Sequence, residues 1–89
     1  MKPAEVERLL LSSLKTPAHL YTLKQKHNLE EAVFAFYQDE ARYIFKYLRD
    51  YGTAPPKELI EAQFEDFEYS PSDAFESLAA DMRKVYMTR

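Results

Sequence analysis

Eighty-nine residues with a net charge of −3 make at most one domain, and seven Tyr and six Phe supply the large rings for its core. The absence of Cys excludes disulfides and thiolate metal sites, and a single glycine excludes the usual nucleotide-cradling loops, which need two or three. The longest aliphatic run, Leu9-Leu10-Leu11, is far too short to span a membrane and Glu5 ahead of it does not suit a signal peptide, so the chain reads as cytoplasmic with no membrane contact.

The charge is unevenly placed. Residues 1–49 hold eight Lys and Arg against six Asp and Glu, residues 50–81 hold only Lys57 against nine acids, and the last eight residues add Arg83, Lys84 and Arg89. A balance of +2, then −8, then +3 along the chain argues against wrapping nucleic acid with the whole surface, because phosphate binding needs a basic footprint. The acidic middle suits a basic protein partner.

Prolines stand where helices begin. After Pro3, Val6, Leu9, Leu10 and Leu14 fall at helical spacing, Leu11 widens the stripe, and Ser12-Ser13 weaken the last turn. Thr16-Pro17 reads as the N-cap and first position of a second helix, with Leu20, Leu23 and His27 on one face and Tyr21 beside them. Asn28 followed by Glu31 has the pattern of a capping box, and residues 29–35 read as a short helix or a turn. A third helix is expected over about Phe36 to Tyr51. Tyr37, Ala41, Ile44, Leu48 and Tyr51 make its buried seam, Phe45 broadens it, and Phe36, Tyr43 and Tyr47 form a second aromatic face. A helix apolar on two sides belongs at the centre of the fold, and Gly52 is expected to end it with a left-handed cap.

Thr53-Ala54-Pro55-Pro56 is a rigid turn into a fourth helix that reaches about Glu65, with Leu59, Ile60, Phe64 and Phe67 as its apolar set. Ser70-Pro71-Ser72-Asp73 reads as the start of a fifth helix carrying Phe75, Leu78, Ala79, Met82, Val85 and Tyr86 at helical spacing. That spacing runs to the last residues without a C-cap signal, so the expectation is a helix that continues in a longer parent chain. The fold class is therefore all-α, a compact bundle of about five helices. Residues 1–68 are expected as a globular head and 70–89 as a helix leading out of it.

Candidate chemistry is sparse. His19 and His27 lie eight residues apart on one helix, roughly 12 Å along its axis, which is too far to share a metal. The acid pairs Glu30-Glu31, Asp39-Glu40 and Glu65-Asp66 sit on polar faces or beside caps, where carboxylates stay solvated rather than serve as general acids. No catalytic residue, cofactor or metal site is expected. Arg42, Lys46 and Arg49 line one face of the third helix, with Tyr43 and Tyr47 next to them. Such a face either holds single-stranded nucleic acid through phosphates and stacking, or is a solvated face with local pairs of Asp39 to Arg42 and Lys46 to Asp50. The stripe on the fifth helix either packs on the rest of the domain or pairs with a partner helix.

The segment Phe36-Tyr37-Gln38-Asp39-Glu40-Ala41-Arg42-Tyr43-Ile44-Phe45 resembles an element in the N-terminal domain of DnaB-like replicative helicases: Phe-Tyr, four residues, Arg, one residue, Ile-Phe. The helix through Tyr51, the Gly52-Thr53-Ala54-Pro55 turn, the helix opening at Leu59-Ile60 and the Leu-rich Glu7 to Leu14 stretch match the family's order. Ala41 departs from it, since the family often has His before the Arg, and the Thr53–Pro56 turn and Phe64-Glu65-Asp66-Phe67 ending look like phage-encoded or divergent members. The resemblance covers about Ala4 to Phe67 and extends more weakly over the fifth helix.

The resemblance implies a non-catalytic collar domain that builds a dimer or hexamer with copies of itself and receives primase or a helicase loader, with DNA contacted only indirectly. It implies that the fifth helix opens a helical hairpin whose contacts come from Phe75, Leu78, Met82, Val85 and Tyr86. The alternatives are the helicase-binding domain of a primase or a small replication adaptor, and a free-standing single-strand-binding module using Arg42, Tyr43, Lys46, Tyr47 and Arg49.

Overall fold

The computed structural model describes residues 2–87, and side chains as far as residue 85. Among these residues five helices form: α1 Pro3–Ser13, α2 Pro17–Lys26, α3 Gln38–Tyr51, α4 Lys57–Gln63 and α5 Phe75–Met87, with a 3-10 turn Glu31–Val33 between α2 and α3. The all-helical architecture is the one expected from the periodicity.

The amphipathic spacing of α1 puts Val6, Leu10, Leu11 and Leu14 into the core, where they meet Leu23, Phe34, Ile44, Leu48, Ile60 and Phe67. Ser12 and Ser13, expected to weaken the helix, are buried and return their hydroxyls to the backbone. Ser12 Oγ donates to the Arg8 carbonyl at 2.8 Å and Ser13 Oγ to the Leu10 carbonyl at 2.7 Å. Ser12 Oγ also accepts the Ser70 N–H at 3.1 Å, while Arg8 Nη1 donates to the Glu68 carbonyl at 2.9 Å and to Ser70 Oγ at 3.0 Å. The polar side of α1 is thus the dock for the extended segment that leads into α5.

Four boundaries differ from expectation. Helix α4 ends at Gln63 rather than near Glu65, because Phe64 leaves the helix at φ −134° and the Phe67 N–H turns back to donate to the Phe64 carbonyl at 3.0 Å. Asn28 does not open a helix. It takes a left-handed backbone at φ 55°, and the Leu29 N–H donates to the Leu23 carbonyl at 2.9 Å, so it ends α2. Helix α3 begins at Gln38 rather than Phe36, because the buried Glu7 carboxylate accepts the N–H groups of Phe36 and Tyr37 at 3.0 and 3.3 Å and holds them outside the helix. Helix α5 begins at Phe75 rather than near Pro71, because Ser70 is tied to α1 and Ser72 Oγ accepts the Ala74 N–H at 3.1 Å in a tight turn. Gly52 ends α3 as expected, at φ 73° with its N–H on the Leu48 carbonyl at 2.9 Å.

Helix α5 lies along α1, which is its main neighbour. Phe75, Leu78, Ala79 and Met82 join the same core, so residues 75–82 belong to the globular unit rather than to a helix standing apart from a head over 1–68. Lys15 Nζ, in the link between α1 and α2, reaches Asp73 Oδ1 at 2.6 Å just ahead of α5, and Lys26 Nζ at the end of α2 reaches Glu76 Oε2 at 2.9 Å in its first turn. The radius of gyration is 11.9 Å, close to the roughly 12 Å of a compact chain of this length. Among the described residues no buried side-chain nitrogen or oxygen lacks a partner, and no helix is long and apolar enough to cross a membrane.

Candidate functional site

Helix α3 divides the surface. Of its expected seam, Ala41, Ile44 and Leu48 point inward, whereas Tyr37 is only half-buried ahead of the helix and Tyr51, in the last turn beyond the core, is 68% exposed; two concave strips run along the flanks. On one flank, α2, the 3-10 turn and α3 enclose a groove of about 750 Å³. Leu20, Leu29 and Phe45 lie along its base, Pro17 and the largely exposed Tyr21 wall it, and the cations Lys24, Arg42 and Arg49 stand on its rim with Glu30 and Glu31. On the other flank, Tyr43, Tyr47, Tyr51 and Leu59 surround a smaller concavity of about 270 Å³. There the rings follow one another, with centroids 6.2 Å apart for Tyr43–Tyr47 and 4.5 Å for Tyr47–Tyr51, and Tyr43 meets Phe64 edge-on at 5.6 Å.

This geometry divides the residues that the sequence grouped as one basic-aromatic face: Lys46 stays beside Tyr43 and Tyr47, while Arg42 and Arg49 turn to the other flank. Residues 42, 45 and 49 are three and four apart and share the α2 side, whereas 43, 47 and 51 share the opposite side. Arg42 and Arg49 therefore do not interleave with Tyr43 and Tyr47 along a single strand track. Two of the three charges are also compensated. Arg42 lies 3.6 Å from both Glu31 and Asp39, and Lys46 Nζ lies 2.7 Å from Asp50 Oδ2. The bond to Asp50 raises the Lys46 pKa, and burial raises that of Tyr43, with Tyr47 and Tyr51 adding to it. Arg49 and Lys24 have no carboxylate within ion-pair distance among the described residues.

Both histidines lie between α2 and the start of α5. The His19 ring stacks on Phe75 with centroids 4.3 Å apart and accepts the Lys15 N–H on Nδ1 at 3.0 Å. Burial lowers its pKa, Lys15 lowers it further, and Glu76 acts the other way. His27 is buried with Nε2 3.2 Å from Glu76 Oε2. Both rings thus serve the joint between α2 and α5. No group of three His, Asp or Glu among the described residues is arranged to hold a metal ion.

The residues expected to pair with a partner helix sit otherwise. Phe75, Leu78 and Met82 are 6%, 5% and 0% exposed and already covered by this chain. Val85 is half-buried, and the Tyr86 side chain lies outside the described residues. The groove was not legible as a site, because its parts come from three elements and each one alone reads as an ordinary helix face. The nearest signal was the placement of Leu20 and Tyr21 side by side, which sends one ring off the buried stripe of α2.

No family model, curated protein or solved structure matches this chain.

Proposed function

We propose that this chain is a non-catalytic docking domain that presents the groove between α2, the 3-10 turn and α3 to a protein partner. The resemblance around Phe36–Phe45 supplies the setting: the N-terminal collar of a DnaB-like replicative helicase, where the partner is primase or a helicase loader. The groove carries the reading. It combines apolar walls, a volume of about 750 Å³ and charged rim residues, the composition of a recognition surface rather than of a reaction centre.

Self-association in this reading does not use Phe75, Leu78 or Met82, which are buried in the chain's own core. The half-buried Tyr47, the exposed Tyr51 and Leu59 offer the apolar surface for contact between copies. Single-strand binding is disfavoured by the compensated Arg42 and Lys46 and by the separation of Arg49 from the tyrosines.

The test is co-elution by size exclusion of residues 1–89 with the replicative helicase, the primase and the helicase loader of the source organism, each purified. Co-elution with one of them, lost on Tyr21→Glu, is the expected result. Binding to none of the three refutes the replication setting.

A further inference from the structure

We propose that the groove takes one particular kind of partner segment, an acidic amphipathic helix about three turns long. The proposal rests on the docking reading above and deepens it. Three features of the groove lead to it.

The first is the kind of backbone the site can receive. The groove is framed by helices and a 3-10 turn, and no strand edge exists among the described residues for an extended peptide to join. A furrow between two helices instead accepts the side-chain ridge of a third, packed as helices pack on each other.

The second is length. From Gln38 to Arg49, the groove follows α3 over eleven residue steps, about 16 Å at 1.5 Å per step. A partner helix of three turns covers that distance and places apolar anchors at i, i+3, i+4 and i+7 over Leu20, Tyr21 and Phe45.

The third is charge. The chain as a whole is acidic, yet the rim of this groove carries three cations against two acids. Glu31 shares its charge with Arg42, whose guanidinium it meets at 3.6 Å, and Asp39 lies equally close. Lys24 on α2 and Arg49 on α3 are left with no carboxylate within ion-pair distance among the described residues. They stand on both walls of an apolar furrow, so carboxylates flanking the apolar stripe of a partner helix would meet them from either side. Glu30 and Glu31 on the same rim oppose a polyphosphate strand, which carries charge of one sign along its whole length.

The probes are two synthetic 18-residue helical peptides with the same leucine stripe, one flanked by Glu and the other by Lys, together with a dT12 oligonucleotide. Each is titrated into isotope-labelled residues 1–89 while backbone amide shifts are followed. The Glu peptide is expected to move the amides of Leu20, Tyr21, Leu29, Phe45 and Arg49, with an affinity that falls as salt is raised. The double variant Lys24→Glu, Arg49→Glu is expected to weaken that peptide by roughly tenfold and to bind the Lys peptide better than the parent does. Both residues are exposed, and an unchanged circular dichroism spectrum checks that the variant is folded. Equal binding of the two peptides by the parent chain overturns the proposal, as does a Glu peptide that perturbs only α4 and α5. Oligonucleotide binding at the groove amides in place of the Glu peptide overturns it in favour of nucleic acid. If the Glu peptide fails while primase or loader co-elutes, this occupant falls and the docking function stands. If the Glu peptide binds and none of the replication proteins does, the occupant stands and the replication setting falls.

Discussion

At the scale of single residues, Glu7 has the widest reach. It is a fully buried acid on α1 whose carboxylate holds the N–H groups of Phe36 and Tyr37, twenty-nine and thirty residues away. Those groups would otherwise lose their acceptor just ahead of α3. Hydrogen bonds to a charged group contribute about 1.5–3 kcal/mol, so Glu7→Ala is expected to lower the melting temperature by about 6–24 °C, using about 4–8 °C per kcal/mol for a domain of this size. Glu7→Gln keeps an acceptor oxygen and is expected to lose less, and a thermal melt of the pair measures the difference. His19 makes a second prediction at this scale. Its pKa in the folded chain lies below the ordinary value of 6.5, chiefly because it is partly buried against Phe75. The unfolded chain therefore takes up its proton first. The contribution of His19 to stability is complete above pH 6.5 and is lost as the pH falls from there through the lowered value. Asp73 and Glu76 also have lowered pKa values, held down mainly by hydrogen bonds from Lys15 and Lys26, so their contributions fade only below their ordinary values of 3.8 and 4.5. Melts between pH 7 and pH 5 should show a decline that His19→Gln flattens, while the acid limb below pH 4.5 remains.

At the scale of elements, what was legible was periodic. The stripes of α1 and α3 placed Val6, Leu10, Ala41, Ile44 and Leu48 correctly in the core, because a helix one face of which is buried must repeat every three to four residues. Gly52 was legible as a stop because a left-handed backbone costs glycine least. Its Cβ would meet no atom within 4 Å, so Gly52→Ala isolates the backbone cost at φ 73°. That cost is about 1–2 kcal/mol, read in urea unfolding as a lower midpoint with an unchanged slope. Most of the boundaries that went astray depend on partners distant in sequence. Asn28 has the chemistry of both a cap and a left-handed stop, and Leu29 packing into the core chose the stop. The start of α5 moved because Ser70, which reads as a cap beside Pro71, is instead held by Arg8 and Ser12 sixty-two and fifty-eight residues away. No local pattern carries that information. For the same reason the basic-aromatic grouping on α3 was half legible. The ion pairs of Arg42 with Asp39 and Lys46 with Asp50 follow from spacing, whereas the assignment of each flank to a different groove required α2 and α4 to be in place.

At the scale of the whole molecule, the position of α5 decides which surfaces are free. Met82 is fully buried between α5 and the rest of the core, so Met82→Ala is expected to cost about 2–5 kcal/mol. A charge there has no partner, and Met82→Glu is expected to unfold the chain, seen as loss of the helical circular dichroism signal, rather than to separate folded copies of it. The domain is thus closed on the α1–α5 side and open along the flanks of α3. The central claim is that the flank facing α2 receives the partner. The most direct measurement is amide hydrogen exchange of residues 1–89, alone and in complex with whichever of the helicase, primase or loader co-elutes. Docking in the groove is expected to slow exchange over residues 17–24, 29–32 and 42–49 and to leave α5 unchanged. Slowing confined to α4, α5 or the Tyr43–Tyr51 flank, with the groove amides exchanging as in the free chain, would contradict it.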